Sequence, residues 1–167
     1  YELSNQLGRY AVRTRFCEVY VNTRGQPIDQ RSYAGVYVLM EKIKRGADRV
    51  PIDRLLRKHT EAPEVSGGYI LKVDRLDPGD RGFSGGSQAL AYVEPKEEEI
   101  ERDQTKYLTD FLNDMNRTFR DRDYEKEVPD YDQYIDEAAW IDFHILNEFT
   151  KNPDGFRLST YMHLPRE

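Results

Sequence analysis

The sequence predicts an α+β domain with an antiparallel sheet and helices. Strand-type alternation dominates up to Val93, and two segments with apolar residues at spacings of three and four follow it. With 167 residues, 38% hydrophobic content, 12 Tyr and 7 Phe, the chain can bury one core. Residues 1–167 are read as one domain.

Leu3, Leu7 and Gly8 mark a short amphipathic opening that stops at the glycine. Phe16 to Asn22 (FCEVYVN) alternates as a strand, the polar run Thr23 to Pro27 turns the chain, and Tyr33 to Ile43 (YAGVYVLMEKI) returns, so the pair predicts a β-hairpin. Val36, Val38 and Leu39 make the second strand apolar on both faces, which predicts a buried, central position.

Ile52, Leu55 and Leu56 are placed in one helical turn after Asp48 or Pro51. Tyr69 to Val73 (YILKV) is a third strand, the Gly- and Asp-rich DRLDPGDRGFSGGSQ a long exposed loop, and Ala89 to Val93 a further strand. Ile100, Tyr107, Leu108, Phe111, Leu112, Met115 and Phe119 form a helical stripe after acidic Glu97 to Glu101, which suits a helix N-terminus. A second helix is expected from Tyr131 to Phe149, capped by Asp130 with Gln133, burying Tyr134, Ala138, Ile141, Ile145 and Phe149 and stopping at Lys151-Asn152-Pro153. Trp140 and the Tyr131 to Tyr134 aromatics read as core. Phe156 to Leu164 (FRLSTYMHL) closes the sheet.

The net charge of -6 argues against a partner bound through its phosphate backbone, because that affinity is carried by Lys and Arg. No apolar run approaches the ~20 residues of a membrane helix, so no membrane insertion is expected. Cys17 is the single cysteine, and no intrachain disulfide can form. Gly82, Gly85 and Gly86 lack the spacing of a phosphate loop, and no serine sits in a GxSxG context. His59, His144 and His163 lie on different elements without metal-ligand spacing. Asn116-Arg117-Thr118 matches the glycosylation pattern inside an expected helix.

Chemistry concentrates in NEFTKNPDGFRLST, where Asn152, Asp154, Arg157 and Ser159 fall between a helix end and a strand start. A carboxylate on such a turn suits a general base or a metal ligand, since rigid elements on both sides fix its direction. The plainer alternative is a simple Asp154-Gly155 turn with Arg157 as a surface charge. Lys72 interrupts an apolar strand; buried, its ammonium needs an anion such as phosphate. Alternatively it faces solvent at a sheet edge with Ile70.

Five ordered blocks, EVYVNTRGQ, YAGVYVLMEKIKRGADRVPI, GGYILKVDR, AYVEPKEEEI and YIDEAAWIDFHILNEFTKNPDGFRLSTYMH, together resemble the CotH family of atypical spore-coat protein kinases. The resemblance spans nearly the whole chain. It implies an atypical protein-kinase-like fold and phosphoryl transfer from ATP, with Mg²⁺ or Mn²⁺, to Ser or Thr of a coat or surface protein. Cell surface, secreted or spore-coat localisation is implied with it. Asp154 would be the catalytic base and Arg157 would neutralise phosphate charge. Lys72, or its rival Lys96, would grip the α and β phosphates, with Glu98 or Glu101 as acidic partner and Gly35 near the phosphates. The metal would fall to Ser159, where a typical kinase loop has Asn, and to Asn152. Family members continue with a WDFD-like block whose Asp holds metal; the sequence stops at Glu167 without it. The expectation is therefore a domain truncated at both ends that transfers little phosphate by itself. The alternative function is a non-catalytic binding or assembly module of a larger surface or spore-coat protein.

Overall fold

A computed structural model describes all residues except 24, 77, 79, 80, 121–130 and 167. It divides into two compact units, Tyr1–Ile43 and Lys44–Glu167. Among the described residues there are antiparallel sheets and three α-helices, an α+β composition.

In the first unit, α1 (Glu2–Gln6) ends before Gly8, whose φ is +79°. The predicted hairpin is present as β1 (Thr14–Tyr20) antiparallel to β2 (Tyr33–Met40), with Cys17 opposite Tyr37. The sheet is two-stranded, and β2 is not buried: Val36 is 63% and Leu39 64% exposed. Apolar residues on both faces usually mean two covering layers, but among the described residues of this unit no third strand joins the hairpin.

The second unit holds a four-stranded sheet in the order β4-β5-β3-β6, from β3 (Tyr69–Val73), β4 (Gly82–Gly85), β5 (Gln88–Glu94) and β6 (Thr160–Leu164). All neighbours are antiparallel. The expected turn of helix at Ile52 to Leu56 is absent, although Ile52 and Leu55 are buried in chain without regular structure. The stretch expected to be a long loop contains β4. Gly86 and Ser87, at φ +60° and +67°, form a two-residue turn into β5, the backbone twist that closes a tight hairpin.

Alternation along β3 puts Tyr69 and Leu71 on one face with Leu90, where they pack with Leu55 and with Leu108 and Leu112 of α2 (Arg102–Arg120). The predicted stripe on α2 thus finds its sheet, though Phe119 at the far end is 44% exposed. Phe83 stacks on Tyr92 at 4.7 Å, and the Tyr92 hydroxyl meets Thr105 Oγ1 at 3.0 Å, tying β4, β5 and α2 together. Gln104 is fully buried. Its Nε2 donates to the carbonyls of Leu56 (2.8 Å) and His59 (2.9 Å) while its Oε1 accepts from the Glu101 N–H, so the irregular 52–59 segment hangs from the first turn of α2.

The second helix begins later than expected. α3 runs Glu137–Phe149, and its cap is Asp136, whose carboxylate accepts from Ala139 N–H at 2.9 Å. Tyr131 to Tyr134 form a turn before it, and Asp130 lies outside the described residues. The predicted buried stripe is largely exposed: Ile141 at 50%, Ile145 at 59% and Phe149 at 76%, with Ala138 also exposed. Trp140 is half exposed, stacked on Phe119 at 6.4 Å. The buried residue of α3 is Asn147. Helical spacing marks which residues share a face, but not which face meets the core. β6 starts at Thr160, four residues later than expected, because Pro153 to Arg157 are spent on a turn. No helix among the described residues is long and apolar enough to cross a membrane.

Candidate active site

Lys72 lies on β3 between β5 and β6, so the edge-strand alternative fails. It is half-buried, paired with Ala91 on one side and Tyr161 on the other, and its face-mate Ile70 is 1% exposed. One position further, Val73 pairs with Thr160, and the side chain of Asp74 reaches Ser159, whose Oγ lies 3.4 Å from Asp74 Oδ2. The β3 exit and the β6 entry therefore bring Lys72, Asp74 and Ser159 to one end of the sheet.

The chain reaches that end from α3 through a tightly braced turn. After Thr150 caps the helix, Lys151 adopts φ +52°, and Asn152 N–H returns to the Asn147 carbonyl at 2.9 Å. Asn152 Nδ2 donates to Asn147 Oδ1 at 2.8 Å, and Asn147 Nδ2 donates to the Phe143 carbonyl. Gly155 is buried against this amide: an added Cβ would stand 2.0 Å from Asn147 Oδ1. The Asp154 carbonyl accepts from Arg157 N–H (2.9 Å) and Leu158 N–H (2.8 Å), and Thr160 Oγ1 donates to the Gly155 carbonyl at 2.8 Å.

On this frame Asp154 and Arg157 are outward-facing, their side chains 55% and 70% exposed, joined by an ion pair of 3.0 Å. Of the residues singled out in the sequence, Asn152, Asp154, Arg157 and Ser159 share one connection, and Lys72 lies on the strand beside it. Asp74 was not singled out; its place two residues after Lys72, just past the end of β3, was the available signal.

The other candidates lie elsewhere. Lys96 is exposed in the turn after β5, its carbonyl accepting from Glu99 and Ile100 N–H at 2.8 and 3.1 Å. The Glu98 carbonyl accepts from the Arg57 guanidinium, and the Glu101 carboxylate pairs with Arg57 at 3.5 Å. Gly35 belongs to the first unit, opposite Val19 with φ +119°. An open apolar groove of about 350 Å³ beside α3 is lined by Phe119, Trp140, Ile141 and Ile145 and by none of the candidate residues.

Among the described residues no group of three or more His, Cys, Asp or Glu gathers, and the Ser159 and Asn152 side chains bond to Asp74 and Asn147. These residues do not by themselves fit a metal centre.

The fold and the site define an α+β domain whose polar chemistry gathers where a helix, a braced turn and a sheet end meet. The family model described as CotH kinase protein matches residues 1–167, and the chain belongs to that family. No curated protein and no solved structure matches it.

Proposed function

We propose that this domain is a CotH-type phosphotransferase that moves the terminal phosphoryl group of ATP to a Ser or Thr hydroxyl of a coat or surface protein, within a kinase-like fold. The supporting observation is the presentation of Asp154: a carboxylate on a turn braced at Asn147, Asn152 and Gly155, with Arg157 at 3.0 Å. The acceptor oxygen attacks the γ-phosphorus as the bond to the β-phosphate oxygen breaks. ADP departs, and the hydroxyl proton passes to Asp154. Arg157 offsets negative charge on the transferring group, and Lys72 approaches the phosphates from β3. Lys72 is preferred to Lys96 because it lies on the strand that meets the Asp154 connection. Magnesium or manganese is implied by the family's kinase relationship.

The alternative is a binding or assembly module without catalysis, favoured by the apolar residues left open on β1, β2 and α3, such as Phe16 at 77% and Phe149 at 76% exposure. Melting curves with ATP, with and without Mg²⁺ or Mn²⁺, separate the two, because a ligand that binds the native state raises its melting temperature. A nucleotide-dependent rise is expected for the kinase. No shift at millimolar ATP overturns that reading in favour of the module.

A further inference from the structure

We infer that Asp74 is a positioning residue for Asp154, acting through Ser159; the inference rests on the phosphotransfer reading. Asp74 is held at one oxygen, Oδ1, by the Arg75 N–H at 2.8 Å, which leaves Oδ2 to meet the Ser159 hydroxyl at 3.4 Å. Ser159 stands at φ +51°, a left-handed conformation that L side chains adopt at a cost unless something holds them. Its neighbour Thr160 is fixed on one side by pairing with Val73 and on the other by the hydrogen bond to the Gly155 carbonyl. The Gly155 carbonyl belongs to the residue directly after Asp154. Asp74 therefore touches, through a contact at the long end for O–H···O, the far end of the turn whose near end is held at 2.8 Å by Asn147, and the base lies between these two clamps.

Two clamps matter because the Asp154 side chain is 55% exposed and its ion-pair partner, Arg157, is more exposed still at 70%, so its aim depends on the turn beneath it. A misplacement near 1 Å at a reacting group lowers rate by as much as about 100-fold. Loss of the Asp74 clamp is therefore expected to reduce kcat by about tenfold or more while leaving the KM for ATP within about twofold. In Asp74→Asn the amide oxygen keeps the Arg75 N–H and the NH2 group donates to the Ser159 hydroxyl oxygen, so the contact survives with its direction reversed and most of the rate is retained, whereas Asp74→Ala and Ser159→Ala are each impaired but not additive when combined.

The test uses the natural polypeptide and measures kcat and KM with ATP and an acceptor protein, together with amide hydrogen exchange at Arg157 and Leu158. Asp74→Ala should lower kcat, spare KM and speed exchange at those two amides at an unchanged melting temperature, and Asp74→Asn should restore both. Unchanged exchange in Asp74→Ala overturns the inference, as does an Asn variant as impaired as the Ala variant. If the wild-type protein transfers no phosphate, the catalytic reading fails separately, and the exchange measurement still decides whether Asp74 clamps the turn.

Discussion

The guanidinium of Arg157 donates to a single carboxylate oxygen of Asp154 from two nitrogens, Nη2 at 3.0 Å and Nε at 3.3 Å. Both side chains are more than half exposed, and such surface pairs contribute about 0–1 kcal/mol. Arg157→Ala should therefore change the urea midpoint very little. Under the proposed reaction, in which the same cation offsets charge on the transferring group, phosphoryl transfer should fall by at least about tenfold. A large loss of stability with unchanged turnover would reverse that assignment.

Gly155 tests the brace beneath the base. Gly155→Ala places a methyl group where Asn147 Oδ1 now sits, forcing that buried amide to swing away from Asn152. A cost of about 1–3 kcal/mol is expected from overpacking, with turnover lost beyond what the folded fraction explains. Circular dichroism melts alongside rate measurements would show it.

Gln104 should matter for stability alone. Its removal by Gln104→Ala leaves the part-buried carbonyls of Leu56 and His59 without their donor. Unsatisfied buried groups cost about 1–3 kcal/mol each, and because water can reach these two in part, a loss of about 2 kcal/mol, the low end for the pair, is expected in urea unfolding. The kinetics of the folded protein should be little affected.

Tyr69 sets an alkaline limit. Burial pushes its phenol well above the ordinary value of 10.0, with the nearby Tyr107 and Tyr92 adding to the shift and Arg166 opposing it. Its hydroxyl also donates to the Val65 carbonyl at 2.9 Å. Because the folded value lies above the unfolded one, the stabilisation is complete below pH 10 and declines as pH rises beyond it. Tyr69→Phe should flatten that decline while lowering stability at neutral pH by about 1 kcal/mol. An identical alkaline slope in both proteins would contradict the assignment.

The hairpin of β1 and β2, the strand β3 and the helix α2 were legible because each announces itself by local periodicity. The β4 strand was not, since GFSG reads as loop chemistry; its pairing with Ala89 to Ala91 is a contact that only the two-residue turn hinted at. Burial was legible where α2 meets the sheet. It was misjudged on β2 and α3, where apolar spacing says which residues share a face and nothing about what covers it. Around the candidate site, residues clustered in sequence, Asn152 to Ser159, were found together. Asp74 escaped notice because its partner is 85 residues away, and strand register alone joins them.

If Asp154 receives the acceptor's proton as proposed, its removal shows in the transfer of labelled γ-phosphate to a protein acceptor by the natural polypeptide and by its Asp154→Asn variant, with equal folded fractions confirmed by melting. Measurable transfer by the wild type and a loss of at least about 100-fold in the variant are expected, within the range that general-base removal produces. Equal rates in the two proteins would contradict that role.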